Sequence, residues 1–267
     1  MACDAVGARN VHAIRLPSKY SSGHSRSDAQ QLHENLGCWD YEVGIDHEPV
    51  VEYLNHALVA GKGDDNLVAQ KLEDGYSEIA DENIQARLRD LYVMHFSNAF
   101  GAMPLSTGNK TESACGYYTH FDMNFSFAPI KDLYKFQVTD IAKSHPGIPK
   151  NIWQKAPSAE LAEGQTDEES LMPYSILDPI VAAYIEDYVS TVAEFAVWAA
   201  EHGAQYSADA AVLNAWLDSD SVDADYNRII GLIGRMEYKR RQTCPGTKVS
   251  RVAFGIGRRI PIVEKWS

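Results

Sequence analysis

"LSTGNKTESACGYYTHFDM", residues Leu105 to Met123, carries the reading of the fold. It opens extended and turns helical within a few residues. At the junction stand a hydroxyl (Thr107), an amide (Asn109), an amine (Lys110) and a carboxylate (Glu112). A strand that passes straight into a helix is the building unit of α/β proteins, whose ligands collect beyond the carboxyl ends of strands. The free N–H groups of a helix start suit phosphate. A hard carboxylate beside them suits magnesium shared with a polyphosphate. The same residues also fit an ordinary helix start steadied by an acid in its first turn. Spacing alone leaves both readings open.

Upstream, "NVHAIRLP" (Asn10 to Pro17) reads as a buried strand and "SKYSSGHS" as a polar loop. "SDAQQLHENLG" follows as an amphipathic helix, with Ser27 as a cap and Gly37 as a stop. "CWDYEVGI" alternates as the next strand, and "EPVVEYLNHAL" is helical with Pro49 in its first turn. "ADENIQARLRDLYVMHFSNAFG" is a long helix, with Ile84, Leu88, Leu91, Tyr92, Phe96 and Phe100 on one apolar face. "AMPLST" is a further strand. Downstream, "KDLYKFQVTDIAKSH" is helical, and Thr166 to Glu169 has a capping-box pattern. From Leu177 to Arg241 the chain reads as mostly helix. The basic, Gly/Pro-punctuated "TCPGTKVSRVAFGIGRRIPI" then follows. Short strands alternating with helices predict an α/β fold, a doubly wound parallel sheet flanked by helices, with a helical C-terminal region.

The formal net charge of −13 disfavours a nucleic-acid partner, because phosphate backbones want a basic surface. It leaves room for a phosphate ligand held by local groups. Four cysteines (Cys3, Cys38, Cys115, Cys244) stand far apart with no CxxC, which points to free thiols and a reducing cytoplasm. No apolar run reaches the roughly 18 residues of a membrane span, and the first residues lack the basic segment and apolar stretch of a signal peptide, so none is expected there.

Asn83 and Arg87 lie four apart on one helix face and can reach one ligand. Lys131, Asp132 and Lys135 stand at a helix start, where a lysine is a point charge for phosphate or a solvated surface group. "EYKRRQ" (Glu237 to Gln242) gathers adjacent cations in an acidic chain. They read either as a sign of an anionic ligand or as a helix end complementing its dipole. HExxH, GxSxG and a dinucleotide glycine fingerprint are all absent from the sequence.

Several separated stretches together resemble the NAD synthetase family over almost the whole chain. They are "LPSKYSS…H", "ENIQARLR", "STGNKTE", "GYYT", "PIKDLYK", "KAPSAEL…GQTDE" and "EYKRRQ…PGTKVSRVAFG". The long last stretch is closest to the glutamine-dependent branch. The resemblance implies an adenine nucleotide alpha-hydrolase-like fold, in one synthetase domain over residues 1–267 without a glutaminase domain. It implies a cytoplasmic homodimeric ligase that uses ATP and Mg2+ to amidate deamido-NAD with ammonia. By the family's motifs Thr107, Lys135, Ser158 and Arg15 contact ATP, and Glu112 binds the metal close to deamido-NAD. Asn83, Arg87, Tyr117, His120, Asp122 and Lys239 line the deamido-NAD pocket. His120 and Ser126 depart from residues common in the compact, ammonia-dependent branch.

The family's pyrophosphate-cradling S-G-G-x-D-S loop occurs nowhere in the chain, so the catalytic residues it would supply are unassigned. The first residues resemble the helix that follows that loop. The expectation is therefore a fold lacking its first strand and loop. An alternative is a catalytically inactive remnant, or a regulatory dimer partner.

Overall fold

The computed structural model describes residues 1–60, 79–122 and 126–262. The chain divides into two compact units, Met1–Ala102 with Pro146–Thr166, and Met103–His145 with Asp167–Ser267.

In the first unit β1 (His12–Arg15) and β2 (Trp39–Glu42) pair in parallel, with His12 opposite Trp39 and Arg15 opposite Glu42. Parallel neighbours need a crossover, and α1 (Gly23–Leu36) lies in it. Its cap is Ser22 rather than Ser27. The Ser22 Oγ accepts from the Ser25 N–H at 3.1 Å, which draws residues read as loop into the first turn. Gly37 closes the helix in the left-handed conformation, φ 67°. The helices α2 (Glu48–Ala60) and α3 (Ile79–Phe100) follow, and a one-turn helix, Lys150–Gln154, completes the unit.

The apolar face expected on α3 is not a core. Leu91 and Phe100 remain 61% and 59% exposed, and the buried residues of α3 are Gln85 and Ala86. Phe96 stacks on Phe100 at 4.2 Å and leans on Tyr41 at 5.0 Å. Among the described residues, two four-residue strands offer too little surface to cover the rest. Among the described residues of this unit only Ile45, His47, Gln85 and Ala86 are buried.

The second unit has a full core. "AMPLST" contributes one residue to pairing, an isolated parallel bridge from Leu105 to Phe127, and Ala128 bridges Gly246 in the same sense. The short α4 (Lys110–Cys115) and α5 (Lys135–Ser144) precede the central α6 (Tyr174–Glu186). Leu177, Ile180, Val181, Ala182, Ala183 and Ile185 of α6 are fully buried. A helix apolar all round belongs inside. Around it pack α7 (Val192–Tyr206), α8 (Ala210–Leu217) and α9 (Val222–Arg235) through Phe195, Trp198, Leu213, Trp216, Tyr226, Ile229 and Ile233. Pro179 sits within α6 and has no N–H for the carbonyl of Ser175. The Ser207 Oγ donates to that oxygen instead, at 2.7 Å.

Candidate functional site

Asn109 caps α4. Its Oδ1 accepts from the Glu112 N–H at 2.9 Å, and Glu112 Oε2 accepts from the Asn109 N–H at 3.0 Å, a reciprocal capping box. The ordinary helix-start reading is thus realised, and it orients the carboxylate. The other oxygen, Oε1, lies 3.5 Å from Lys135 Nζ. Burial pushes the Glu112 carboxyl above its usual range, while Lys135 and the Asn109 N–H pull it back and the Asp167 carboxylate adds to the rise.

Asp167 is itself buried. Its Oδ2 accepts from Tyr174 Oη at 3.0 Å, and its Oδ1 has no hydrogen-bond partner among the described residues. Lys135 Nζ stands 5.1 Å over the Tyr174 ring. Of these two shielded carboxylates only Glu112 pairs with Lys135, while Asp167 is held by the Tyr174 hydroxyl. A partnerless carboxylate oxygen in a buried setting is costly, and a hard cation would satisfy it. Among the described residues no three acidic, His or Cys side chains gather as a metal cage. One or two carboxylates completed by phosphate and water is the way magnesium binds, so the donor set fits that ion.

Asp178, on α6, holds this corner in place. The Thr111 hydroxyl donates to its Oδ1, and the Phe136 N–H donates to its Oδ2 at 2.9 Å. Burial raises the Asp178 carboxyl to about 7 against the pull of both donors. Beneath them Lys110 is fully buried and donates to Glu186 Oε1 (2.8 Å), Ser250 Oγ (2.7 Å) and the Val252 carbonyl (2.8 Å).

A second group surrounds the turn after α4. Gly116 takes φ 65°, and a Cβ there would meet Met236 Cγ at 2.5 Å. Lys239 Nζ donates to the carbonyls of Gly116 and Tyr118, each at 2.9 Å, and burial lowers its pKa. The Tyr118 hydroxyl is buried with no partner among the described residues. His120 Nε2 lies 2.5 Å from Gln242 Oε1, with its ring stacked on Phe121. Tyr117 and Asp122 are half-buried in the same stretch. The expected residues Tyr117, His120, Asp122 and Lys239 are thus neighbours.

Arg15, Asn83, Arg87 and Ser158 belong to the first unit. The Arg15 guanidinium donates to Asp40 through Nε and Nη2, at 2.9 and 2.7 Å, and also to Glu42. It holds the Asp40 carboxyl down at about 2. Asn83 is half-buried and Arg87 exposed, on one face of α3. Ser158 Oγ donates to the Gln165 carbonyl at 2.5 Å. Its loop is tied to α3 by Gln85 Nε2, 2.8 Å from the Leu161 carbonyl. Arg15 and Ser158 are therefore engaged with their own unit.

Sequence reasoning passed over Asp167, Tyr118 and Tyr174. Asp167 stands inside "GQTDE", and Tyr118 beside Tyr117 in "GYYT". The stranded oxygen and hydroxyl that mark the first two appear only once burial is known.

A family model described as NAD synthase matches residues 1–201. The chain belongs to the NAD synthase family. The glutamine-dependent NAD(+) synthetase of Xanthomonas campestris pv. campestris is 38% identical over 274 residues, which cover 100% of this chain and 44% of that protein. The same enzyme of Aquifex aeolicus is 36% identical, over 100% of this chain and 42% of its own length. The chain thus spans less than half the length of these relatives. Among solved structures, the Acinetobacter baumannii glutamine-dependent NAD+ synthetase in complex with ADP is similar at TM-score 0.50 and 29% identity, over 100% of this chain and 43% of that one. The Cytophaga hutchinsonii glutamine-dependent synthetase matches at TM-score 0.66 over 95% of this chain and 39% of that one; at 18% identity it shows the fold alone. The fold is the α/β, parallel-sheet architecture of these synthetases. Among the described residues no helix is long and apolar enough to cross a membrane.

Proposed function

We propose that this chain catalyses the ATP-dependent amidation of deamido-NAD to NAD, with residues 1–267 acting as one synthetase domain of a cytoplasmic homodimer. A carboxylate is a poor acyl donor. Transfer of AMP to the nicotinate carboxylate expels pyrophosphate and forms an acyl-adenylate. Ammonia then attacks the carbonyl carbon and expels AMP. The observation that carries this reading is the Glu112–Lys135–Asp167 corner, two shielded carboxylates with one lysine and an unsatisfied oxygen.

Glu112 would hold magnesium, with Asp167 beside it, and the ion would neutralise the departing pyrophosphate. Lys135 supplies a fixed positive charge to the same phosphates. Thr107, exposed beyond the Leu105 bridge, is assigned to ATP by the motif it occupies. Arg15 and Ser158 are assigned to ATP by the motifs they occupy, and would have to exchange present partners for it. Asn83, Arg87, Tyr117, His120, Asp122 and Lys239 are assigned to deamido-NAD. The unpartnered Tyr118 hydroxyl offers that ligand a further hydrogen bond.

A second reading is a catalytically inactive remnant or a regulatory dimer partner. The S-G-G-x-D-S sequence is found nowhere in the 267 residues. One experiment separates the two. The chain is incubated with ATP, Mg2+, deamido-NAD and excess ammonium, and NAD and AMP are both measured. Equimolar NAD and AMP support the amidation. Neither product, from folded protein, supports the second reading.

A further inference from the structure

We infer that a cavity of about 510 Å³ in the second unit, between Lys131 and the 240–259 segment, is a binding site for a small phosphate-bearing anion. It is separate from the Glu112–Lys135 corner and does not depend on the amidation reading. Five cations line it: Lys131, Arg240, Arg241, Lys248 and Arg259. Asp132 is the carboxylate of the lining, and it is spent. Its oxygens accept from the N–H groups of Val249 and Ser250 and from Ser250 Oγ, and Lys110 lies 3.3 Å away. Behind the wall, Glu237 alone serves both Arg240 and Arg241. Among the described residues no carboxylate pairs with Lys131, Lys248 or Arg259. In a chain of net charge −13, five cations against two carboxylates in and behind one wall run against the general trend.

The walls are built rather than loose. Lys131 Nζ is fixed by Thr243 Oγ1 and the Cys244 carbonyl, each at 2.6 Å. The Arg240 guanidinium is buried and donates to the carbonyls of Ala114 and Ile233. Gly246 passes so close that a Cβ would stand 2.4 Å from the Ala128 carbonyl. Burial lowers the pKa of both Lys131 and Arg240, the expected result of enclosing cations without enough counter-charge. An anion relieves that cost. Forked guanidinium groups and an ammonium in a preformed recess are the chemistry that recognises phosphate. The volume falls within the range of small-molecule sites.

The test is a two-dimensional NMR titration of the whole chain with inorganic pyrophosphate, which reads the amides of Gly246, Gly255 and Gly257. All three should shift, and saturate together. The double charge reversal Lys248→Glu with Arg259→Glu, at two exposed positions, should weaken this effect by roughly tenfold or more, as loss of charge-assisted bonds requires. The neutral pair Lys248→Gln with Arg259→Gln should weaken it less. Lys135→Ala removes a cation from the other phosphate-binding corner and should leave the three shifts intact. Unmoved glycine amides, or shifts indifferent to both double variants, or shifts lost with Lys135→Ala, would each overturn the assignment.

Discussion

At the scale of single residues, Glu112 is asked to do two things, and they can be separated. Glu112→Gln keeps a side-chain acceptor for the Asn109 N–H and removes the charge. The capping box should survive, so the melting temperature should stay within about 2 °C, while magnesium-dependent activity falls by at least about tenfold. A variant with unchanged magnesium dependence would remove Glu112 from the metal. Asp40 gives a pH signature of known sign. Arg15 holds its carboxyl at about 2, below the unfolded value near 3.8, so its contribution is present above pH 4 and lost as pH falls toward 2. Asp40→Asn should therefore lower the melting temperature of the first unit at pH 7 and leave it nearly unchanged at pH 2, as followed by near-ultraviolet circular dichroism. Asp178 has the opposite sign. Its carboxyl is raised to about 7, so its contribution fades as pH climbs from 4 through 7, and Asp178→Asn should flatten that part of the stability profile.

At the scale of elements, the sequence was legible where pattern and packing agree. The glycine stop of α1, the helical stretch beyond Leu177, and the strands "HAIR" and "WDYE" all appear, although the cap of α1 is Ser22 and not Ser27. The reading failed where tertiary partners decide. The stripe from Ile84 to Phe100 has helical spacing, yet no spacing reveals that Leu91, Tyr92 and Phe100 stay exposed among the described residues. "AMPLST" has strand composition, yet pairing beyond the Leu105 bridge depends on neighbours remote in sequence. The site divides similarly. Glu112 and Lys135 were marked by motif and do meet, whereas Asp167 and Tyr118 are defined by missing hydrogen bonds, which no sequence displays. One element carries its own test. Ser207→Ala removes the donor that replaces the missing N–H of Pro179, and should cost about 1–2 kcal/mol in urea unfolding. Ser207→Thr, which keeps the hydroxyl, should cost less.

At the scale of the molecule, the two units differ in what holds them. In the second, α6 is buried on every side, and hydrogen exchange should be slowest at its amides, Ile180 to Ile185. In the first, the four residues buried among those described are too few to protect β1 and β2, whose amides should exchange far faster in the same experiment. The cations follow the same division. In the second unit many of them are anchored on backbone carbonyls: Arg228 on Leu171, Lys239 on Gly116 and Tyr118, Arg240 on Ala114 and Ile233, Arg258 on Tyr184. In the first, several are pairs largely open to solvent, such as Arg26 with Glu42 and Lys19 with Glu48, beside the more sheltered Arg15 on Asp40 and Arg89 on the Leu16 carbonyl. Dissolved ions screen exposed pairs and scarcely reach short buried dipole contacts. Brine should therefore loosen the first unit's surface pairs and scarcely touch the backbone-anchored cations of the second, so that ionic strength alone becomes a handle for softening one set of contacts while the helical core stays set.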